Sequence, residues 1–345
     1  MFDLPPVSRA LDEAIRHTID SKTKPLGALG IVESLAAQIA RLQGTLTPRL
    51  DRCRLTLFAG DHGIAHEGVS AYPQAVTRQM VANFLAGGAA ANVFARANGV
   101  DLQVVDAGVA GDPLDSPELV TLRIAAGTRN CAVEPAMSGE QCDEALRAGH
   151  ELGAGIAADA AAFGEMGIAN TSSASLIAHK LTGAGLDALI GRGTGLDDEG
   201  LAHKRAVLER AARRTDERLD ARDALREYGG FEIAMMAGAM TGAARSGAIV
   251  LVDGFIASAA ALAAAGLAPA LRDYLVFAHR SAEQGHRTVL EALDARPLLD
   301  FDMRLGEGTG ALIAWPILRC AAAMMSEMAS FESAGVSGPA DDRPA

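Results

Sequence analysis

Glu307 stands between two glycines in Leu305-Gly-Glu-Gly-Thr-Gly-Ala311. Gly306 and Gly308 leave its carboxylate with little steric shielding, and backbone N–H groups at such a turn can face an anion. A carboxylate so placed suits a base that removes a proton in a dry pocket. Taken alone, it is better explained as an acid in the first turn of a helix, favoured there by the dipole; the case for function rests on the pattern recurring along the chain. Two further acids occupy comparable places. Glu165 leads Glu165-Met-Gly-Ile-Ala-Asn-Thr-Ser-Ser-Ala-Ser175, in which Gly167 and a set of amides and hydroxyls run up to a helix. Capping by Asn170, Thr171 or Ser172 explains one of these polar residues but not the whole set. Asp253 closes the apolar run 249–252 and is followed by Gly254. No Ser-His-Asp order, nucleophile elbow or kinase set is present, so carboxylates are expected to carry the proton chemistry.

Gly191-Arg-Gly-Thr-Gly195 supplies Arg192, Gly193, Thr194 and Gly195 between an apolar stretch read as a strand and a helix, where a phosphate-cradling loop belongs. It has neither the Gly-Lys-Ser/Thr of a P-loop nor the spaced third glycine of the dinucleotide fingerprint. Lys204, about two helical turns on, can offer a cation to a phosphate or carboxylate, although lysine is more often a solvated helix residue. The stretch from Gly68 to Gln79 places Ser70, Tyr72, Gln74 and Gln79 beside apolar groups, a combination that suits a flat heterocycle with polar edges. Asp61-His62 and His66-Glu67 bring nitrogen and carboxylate donors close together. Gly63 and Gly68 undermine their presentation from one helix and no third ligand is obvious, so no metal is expected.

The elements that must position these residues follow from apolar runs and their periods. Strands are read at 54–60, 102–105, 119–124, 188–190, 249–252, 275–277 and 298–303. Helices are read at 74–98, 139–163, 172–184, 197–217, 231–246 and 256–266. The alternation implies an α/β fold with a mostly parallel sheet covered by helices on both faces. Ligands of such sheets lie outside the carboxyl ends of the strands, which is where nearly every polar or glycine-rich cluster falls. Before the first strand come a helix over 4–20, introduced by Pro5-Pro6, and an amphipathic one with Ile31, Leu35, Ile39 and Leu42 on one face. They form a small helical element beside the main domain. From Thr309 an apolar run through Leu312, Trp315 and Leu318 reads as a buried helix, and residues 336–345 read as a disordered tail.

With 345 residues, 49% of them hydrophobic, the chain can bury a large core. Its net charge of −12 and lack of a basic stripe argue against nucleic acid as a partner. Cys53, Cys131, Cys142 and Cys320 are scattered without a Cys-x-x-Cys pair, which suits reduced core thiols in a cytosolic protein. No signal peptide precedes Met1-Phe2-Asp3, and no apolar run reaches membrane-spanning length without glycine or charge. A cytoplasmic protein with no membrane contact is expected.

In order along the chain, Thr23-Lys-Pro-Leu-Gly-Ala-Leu-Gly30, Ala59-Gly-Asp-His-Gly-Ile64, Glu67-Gly-Val-Ser-Ala-Tyr-Pro-Gln74 and Glu165-Met-Gly-Ile-Ala-Asn-Thr171 are followed by four more motifs. These are Gly191-Arg-Gly-Thr-Gly195, Val252-Asp-Gly-Phe255, His279-Arg-Ser-Ala-Glu-Gln-Gly-His286 and Leu305-Gly-Glu-Gly-Thr-Gly-Ala311. Together they resemble the nicotinate-nucleotide:dimethylbenzimidazole phosphoribosyltransferases over almost the whole chain. Ala28 and Ala169 depart from the family pattern, in which serine and glycine are more usual. The resemblance implies a Rossmann-like sheet with a small helical domain built from both termini: helices within 1–45, a large domain over 46–310, and a C-terminal helix over 311–335. It implies a homodimer without a cofactor, acting on nicotinate mononucleotide and a benzimidazole base to make α-ribazole phosphate for the lower ligand of cobalamin. Glu307 would be the general base, with Glu165 and Asp253 near the ribose and the reacting centre. Lys204, Ser281 and the loop from Gly191 to Gly195 would contact phosphate or nicotinate. Ser70, Tyr72 and Gln79 would line the benzimidazole pocket.

Overall fold

The computed structural model describes residues 2–337; the rest of the expected tail, 338–345, lies outside the described residues. The chain divides into two compact units, residues 1–5 with 52–314, and residues 6–51 with 315–345. Residues 2–5 go with the larger unit.

Among the described residues the larger unit holds six strands: β1 (Cys53–Gly60), β2 (Asp101–Gly108), β3 (Leu119–Thr121), β4 (Ala160–Met166), β5 (Ile249–Val252) and β6 (Leu275–Phe277). Their order is β3-β2-β1-β4-β5-β6, and every neighbouring pair is parallel. The winding reverses between β1 and β4, the place where doubly wound sheets open a crevice. In chain order the helices are α1 (Asp12–Asp20), α2 (Ile31–Gln43), α3 (Ala75–Leu85), α4 (Ala90–Asn98) and α5 (Gly139–Ala154). Next come α6 (Asn170–Thr182), α7 (Leu186–Leu189), α8 (Asp198–Ala212), α9 (Ala221–Tyr228) and α10 (Phe231–Arg245). The series ends with α11 (Phe255–Leu267), α12 (His286–Ala292), α13 (Thr309–Glu327) and α14 (Phe331–Ala334). The glycine and alanine content reflects tight packing of α5 on α10. A Cβ at Gly149 would lie 1.8 Å from the Met235 carbonyl oxygen.

The smaller unit joins both ends of the chain. Arg41 pairs with Asp12 at 2.6 Å between α2 and α1. Lys22 forms an antiparallel bridge with Ser330, and its Nζ donates to the Met328 carbonyl at 2.6 Å. Most of α13 belongs here, and its Trp315, Leu318, Ala321 and Met325 are buried. It is a core helix.

Several expected elements differ. Residues 160–163, read as the end of a helix, belong to the central strand β4 (Ala160–Met166). Ala160-Ala-Ala-Phe-Gly lacks the β-branched residues that signal a strand, and the small side chains leave room for what packs on both faces. Residues 188–190 are not a strand; α7 covers most of them, and so short an apolar run carries no period to tell the two apart. The segment 298–303 makes only one bridge, Leu299 to His279, and Phe301 is 58% exposed, so it is not a buried strand. The helix read over 74–98 is two, broken where Gly87 takes φ +76° ahead of Gly88. The first helix starts at Asp12 rather than residue 4, and the last apolar run is α13 followed by α14. Cys53, Cys131 and Cys142 are buried, whereas Cys320 is exposed.

Candidate active site

A cleft of ≈ 420 Å³ opens in the larger unit at the carboxyl ends of β4, β5 and β6. Its apolar lining comes from Tyr72, Val76 and Met80, of α3 and the loop before it, and from Ile168, Phe255 and Leu305. The same lining holds Thr171, Gly193, Thr194, Ser281, Glu283 and Arg304, and Thr194 Oγ1 also accepts from the Ala71 N–H at 3.3 Å, beside Tyr72. Glu165 and Glu307 belong to this lining as well.

Both acids are largely withdrawn from water, 7% and 5% exposed. Burial, with the nearby Asp253 and Glu232 carboxylates, raises the Glu165 pKa to about 8, although the Asn170 side-chain amide donates to its Oε2 and opposes the rise. Burial also raises the Glu307 pKa. The Ala91 N–H at the start of α4, 3.3 Å from Oε2, opposes that rise, and Asp253 adds to it. Asp253 is 2% exposed and is not part of the cleft lining. Its Oδ1 accepts from the Ala311 N–H at 3.0 Å and lies 3.6 Å from Nε2 of His279, which does line the cleft.

Glycine-scale contacts fix these groups to the sheet. Gly306, Glu307 and Gly308 all have positive φ, +86°, +63° and +78°. For Glu307 that conformation costs about 1–2 kcal/mol. The turn rests on β4: a Cβ at Gly164 would come 2.6 Å from the Glu307 carbonyl carbon, and one at Gly306 would come 2.3 Å from Glu165 Oε1. Gly164→Ala therefore has to push the Glu307 turn off the strand, since the atoms it meets are backbone. It is expected to cost about 1–3 kcal/mol. A displacement of 1 Å at the base can slow turnover about a hundredfold. Steady-state rates beside a chemical-denaturation curve will show it, and a Gly164→Ala protein with wild-type turnover would refute the contact's importance.

Of the residues singled out in the sequence, Tyr72, Glu165, Gly167, Asn170, Gly193, Thr194, Ser281, Gly306 and Glu307 all line the cleft. Ser70 stands beside it, with its Oγ 3.2 Å from Thr194 Oγ1. Lys204 lies behind the glycine loop, fully buried, with Nζ donating to Thr171 Oγ1 at 2.9 Å and to the Gly191 carbonyl at 3.2 Å. Burial lowers its pKa to about 8 against the pull of Glu283. Arg192 points elsewhere, to the Leu196 carbonyl and Asp198, and Gly195 is outside the lining. Gly308 packs toward Leu55. Gln79 is exposed on α3, one position round from Met80. The helix turns Val76 and Met80 inward instead, four residues apart, a spacing that was available in the sequence.

Other lining residues were missed. Glu283 lies inside the stretch His279–His286; burial raises its pKa while Lys204 and Arg304 pull it down. Arg304, whose Nη1 donates to the Gly193 carbonyl at 3.0 Å, carried no local signal. The donors His62 and Asp61 are used within the fold. His62 Nε2 pairs with Glu232 Oε1 at 2.6 Å and its Nδ1 contacts Ser173 Oγ at 2.9 Å. Burial works against the His62 charge, but Glu232 overrides it and raises the pKa. Asp61 Oδ2 accepts from the Ala110 N–H at 2.7 Å. Ala169, at the N-cap of α6, takes φ +74°, a conformation glycine adopts without strain.

A family model described as Phosphoribosyltransferase matches residues 4–336. The chain is 54% identical over 342 residues to the nicotinate-nucleotide–dimethylbenzimidazole phosphoribosyltransferase of Dechloromonas aromatica, covering 97% of this chain and 98% of that protein. The protein of the same name from Cupriavidus necator is 54% identical over 338 residues, with 97% and 98% coverage. Among solved structures, CobT from Thermus thermophilus superposes with a TM-score of 0.91 at 45% identity, covering 94% of this chain and 98% of that one.

Proposed function

Because the chain belongs to the nicotinate-nucleotide:dimethylbenzimidazole phosphoribosyltransferase family, we propose that it moves the phosphoribosyl group of nicotinate mononucleotide to 5,6-dimethylbenzimidazole or a related base. The products are α-ribazole 5′-phosphate, for the lower ligand of cobalamin, and nicotinate. The observation that carries the reading is the pairing of Glu165 and Glu307 in one cleft that is also lined by apolar side chains and by a glycine loop backed by a buried lysine.

The phosphate takes the end formed by Gly193, Thr194 and Ser281, with Lys204 and Arg304 supplying positive charge. The flat acceptor slides between Tyr72, Val76, Met80 and Leu305. One acceptor nitrogen attacks the anomeric carbon as the bond to the pyridinium nitrogen breaks. That nitrogen keeps the electron pair and becomes neutral, so the leaving group needs no acid and no metal. Glu307 takes the acceptor's N–H proton, and a pKa raised toward the working pH suits a base. Positive charge grows on the ribosyl ring beside Glu165, and a cationic substrate favours the ionised form of that acid. Attack on the face opposite the leaving group inverts β to α.

Incubation with nicotinate mononucleotide should release nicotinate only when the benzimidazole is also present. Release without it would point to a hydrolase, and binding of both without release would point to a sensor on the same fold. The working unit is proposed to be a homodimer in the cytoplasm, and sedimentation of the assayed sample against the 35.6 kDa chain mass reports the assembly.

A further inference from the structure

Three left-handed residues in succession, Gly306, Glu307 and Gly308, lead directly into α13. Two glycines accept that conformation freely, but Glu307 does not, so the surroundings must hold the turn. From below it rests on Gly164 and Leu55. Thr309 closes it by bonding back to the Gly306 carbonyl through both its N–H, at 3.1 Å, and its Oγ1, at 2.7 Å. The remaining hold comes from the end of β5. Asp253 Oδ1 accepts the Ala311 N–H at 3.0 Å, and the backbone N–H groups of Gly310 and Gly308 also favour the charged form of this carboxylate. A Cβ at Gly310 would meet Asp253 Oδ1 at 2.8 Å and His279 Cδ2 at 2.0 Å, so carboxylate, ring and turn are in close contact. With 2% exposure and no part in the cleft lining, Asp253 has no surface to offer a substrate.

We propose that Asp253 is a positioning residue that clamps the left-handed turn at the head of α13 and acts through the aim of the Glu307 side chain, not on the reacting atoms. The inference rests on the reading of Glu307 as the base. A carboxylate suits the task because it is an acceptor on both oxygens and meets several N–H groups at once; an asparagine of the same shape would turn an NH₂ toward them. The carboxyl ends of β4 and β5 thus divide the work. Glu165 faces the cavity, and Asp253 faces the backbone that carries the other acid.

A double-substitution cycle tests this, using the full chain with nicotinate mononucleotide and 5,6-dimethylbenzimidazole. Asp253→Asn should lower kcat about 10- to 100-fold while KM for nicotinate mononucleotide stays within about threefold. In a Glu307→Gln background the same change should cost no more than about threefold, because the side chain being aimed no longer takes the proton. Losses that multiply in the double variant would overturn the clamp and leave the base standing. A fully active Glu307→Gln protein would remove the base, and the clamp with it. If Asp253→Asn does not fold, Asp253→Ser, which leaves a hydroxyl acceptor for the same N–H groups, takes its place in the cycle under the same criteria.

Discussion

Glu307→Gln is expected to lower kcat by about 10²–10⁴-fold, the usual contribution of a general base. The amide keeps the size of the side chain and its acceptor for the Ala91 N–H, so the cleft and the left-handed turn should survive. What is lost is the capacity to take the acceptor's proton as the new carbon–nitrogen bond forms. KM for nicotinate mononucleotide should change little, since the phosphate end of the cleft is untouched. Single-turnover rates over a range of pH give the cleanest reading. Wild-type turnover should fall on the acid side as Glu307 is protonated, and the Gln protein should lack that limb. A variant that keeps full turnover, or the same acid limb, would mean that another group takes the proton.

Glu165→Gln should remove a pH dependence of stability that this one group creates. Its carboxyl has a pKa of about 8 in the folded chain against 4.5 ordinarily, raised by burial and neighbouring negative charge. The folded state thus holds the proton more tightly than the unfolded state. The associated stability is fully present below about pH 4.5 and is lost as pH rises to about 8. The slope is about 1.4 kcal/mol per pH unit, or roughly 4–5 kcal/mol across the window. Glutamine stays neutral throughout and keeps an oxygen for the Asn170 amide. Unfolding curves at pH 5, 6, 7 and 8 should show the variant gaining on the wild type as pH rises. If the two proteins run parallel across that range, the carboxyl is already ionised in the empty cleft. The same substitution should slow catalysis, because a neutral amide cannot balance charge growing on the ribosyl ring.

The order of polar and glycine-rich clusters after apolar runs is a local property, and it was enough to place an α/β fold and its working edge. It misjudged β4, because a strand buried on both faces and crossed by the Glu307 turn needs alanine and glycine, the residues that locally favour neither strand nor a strand signature. It also placed a strand before the glycine loop where the chain makes a single helical turn; of that loop Gly193 and Thr194 line the cleft, whereas Arg192 and Gly195 do not.

Among the candidate residues, type was legible and direction was not. Gly306-Glu-Gly308 announced an unshielded acid, but φ +63° at Glu307 and its seat on Gly164 arise from segments more than 140 positions apart meeting in space. Asp253 and Glu165 read alike as acids at strand ends; only packing turned one into the cavity and the other onto the N–H groups of α13. Arg304 and Gln79 make the same point from opposite sides, since an unremarked arginine reaches the glycine loop and a promising glutamine faces water. The chain by itself determined which chemistry was on hand, because side-chain identity and spacing are written in it. The tertiary structure decided which groups meet, how far their protons are held from the usual pH, and which backbone is bent to aim them, because burial and long-range contact exist only once the chain is folded.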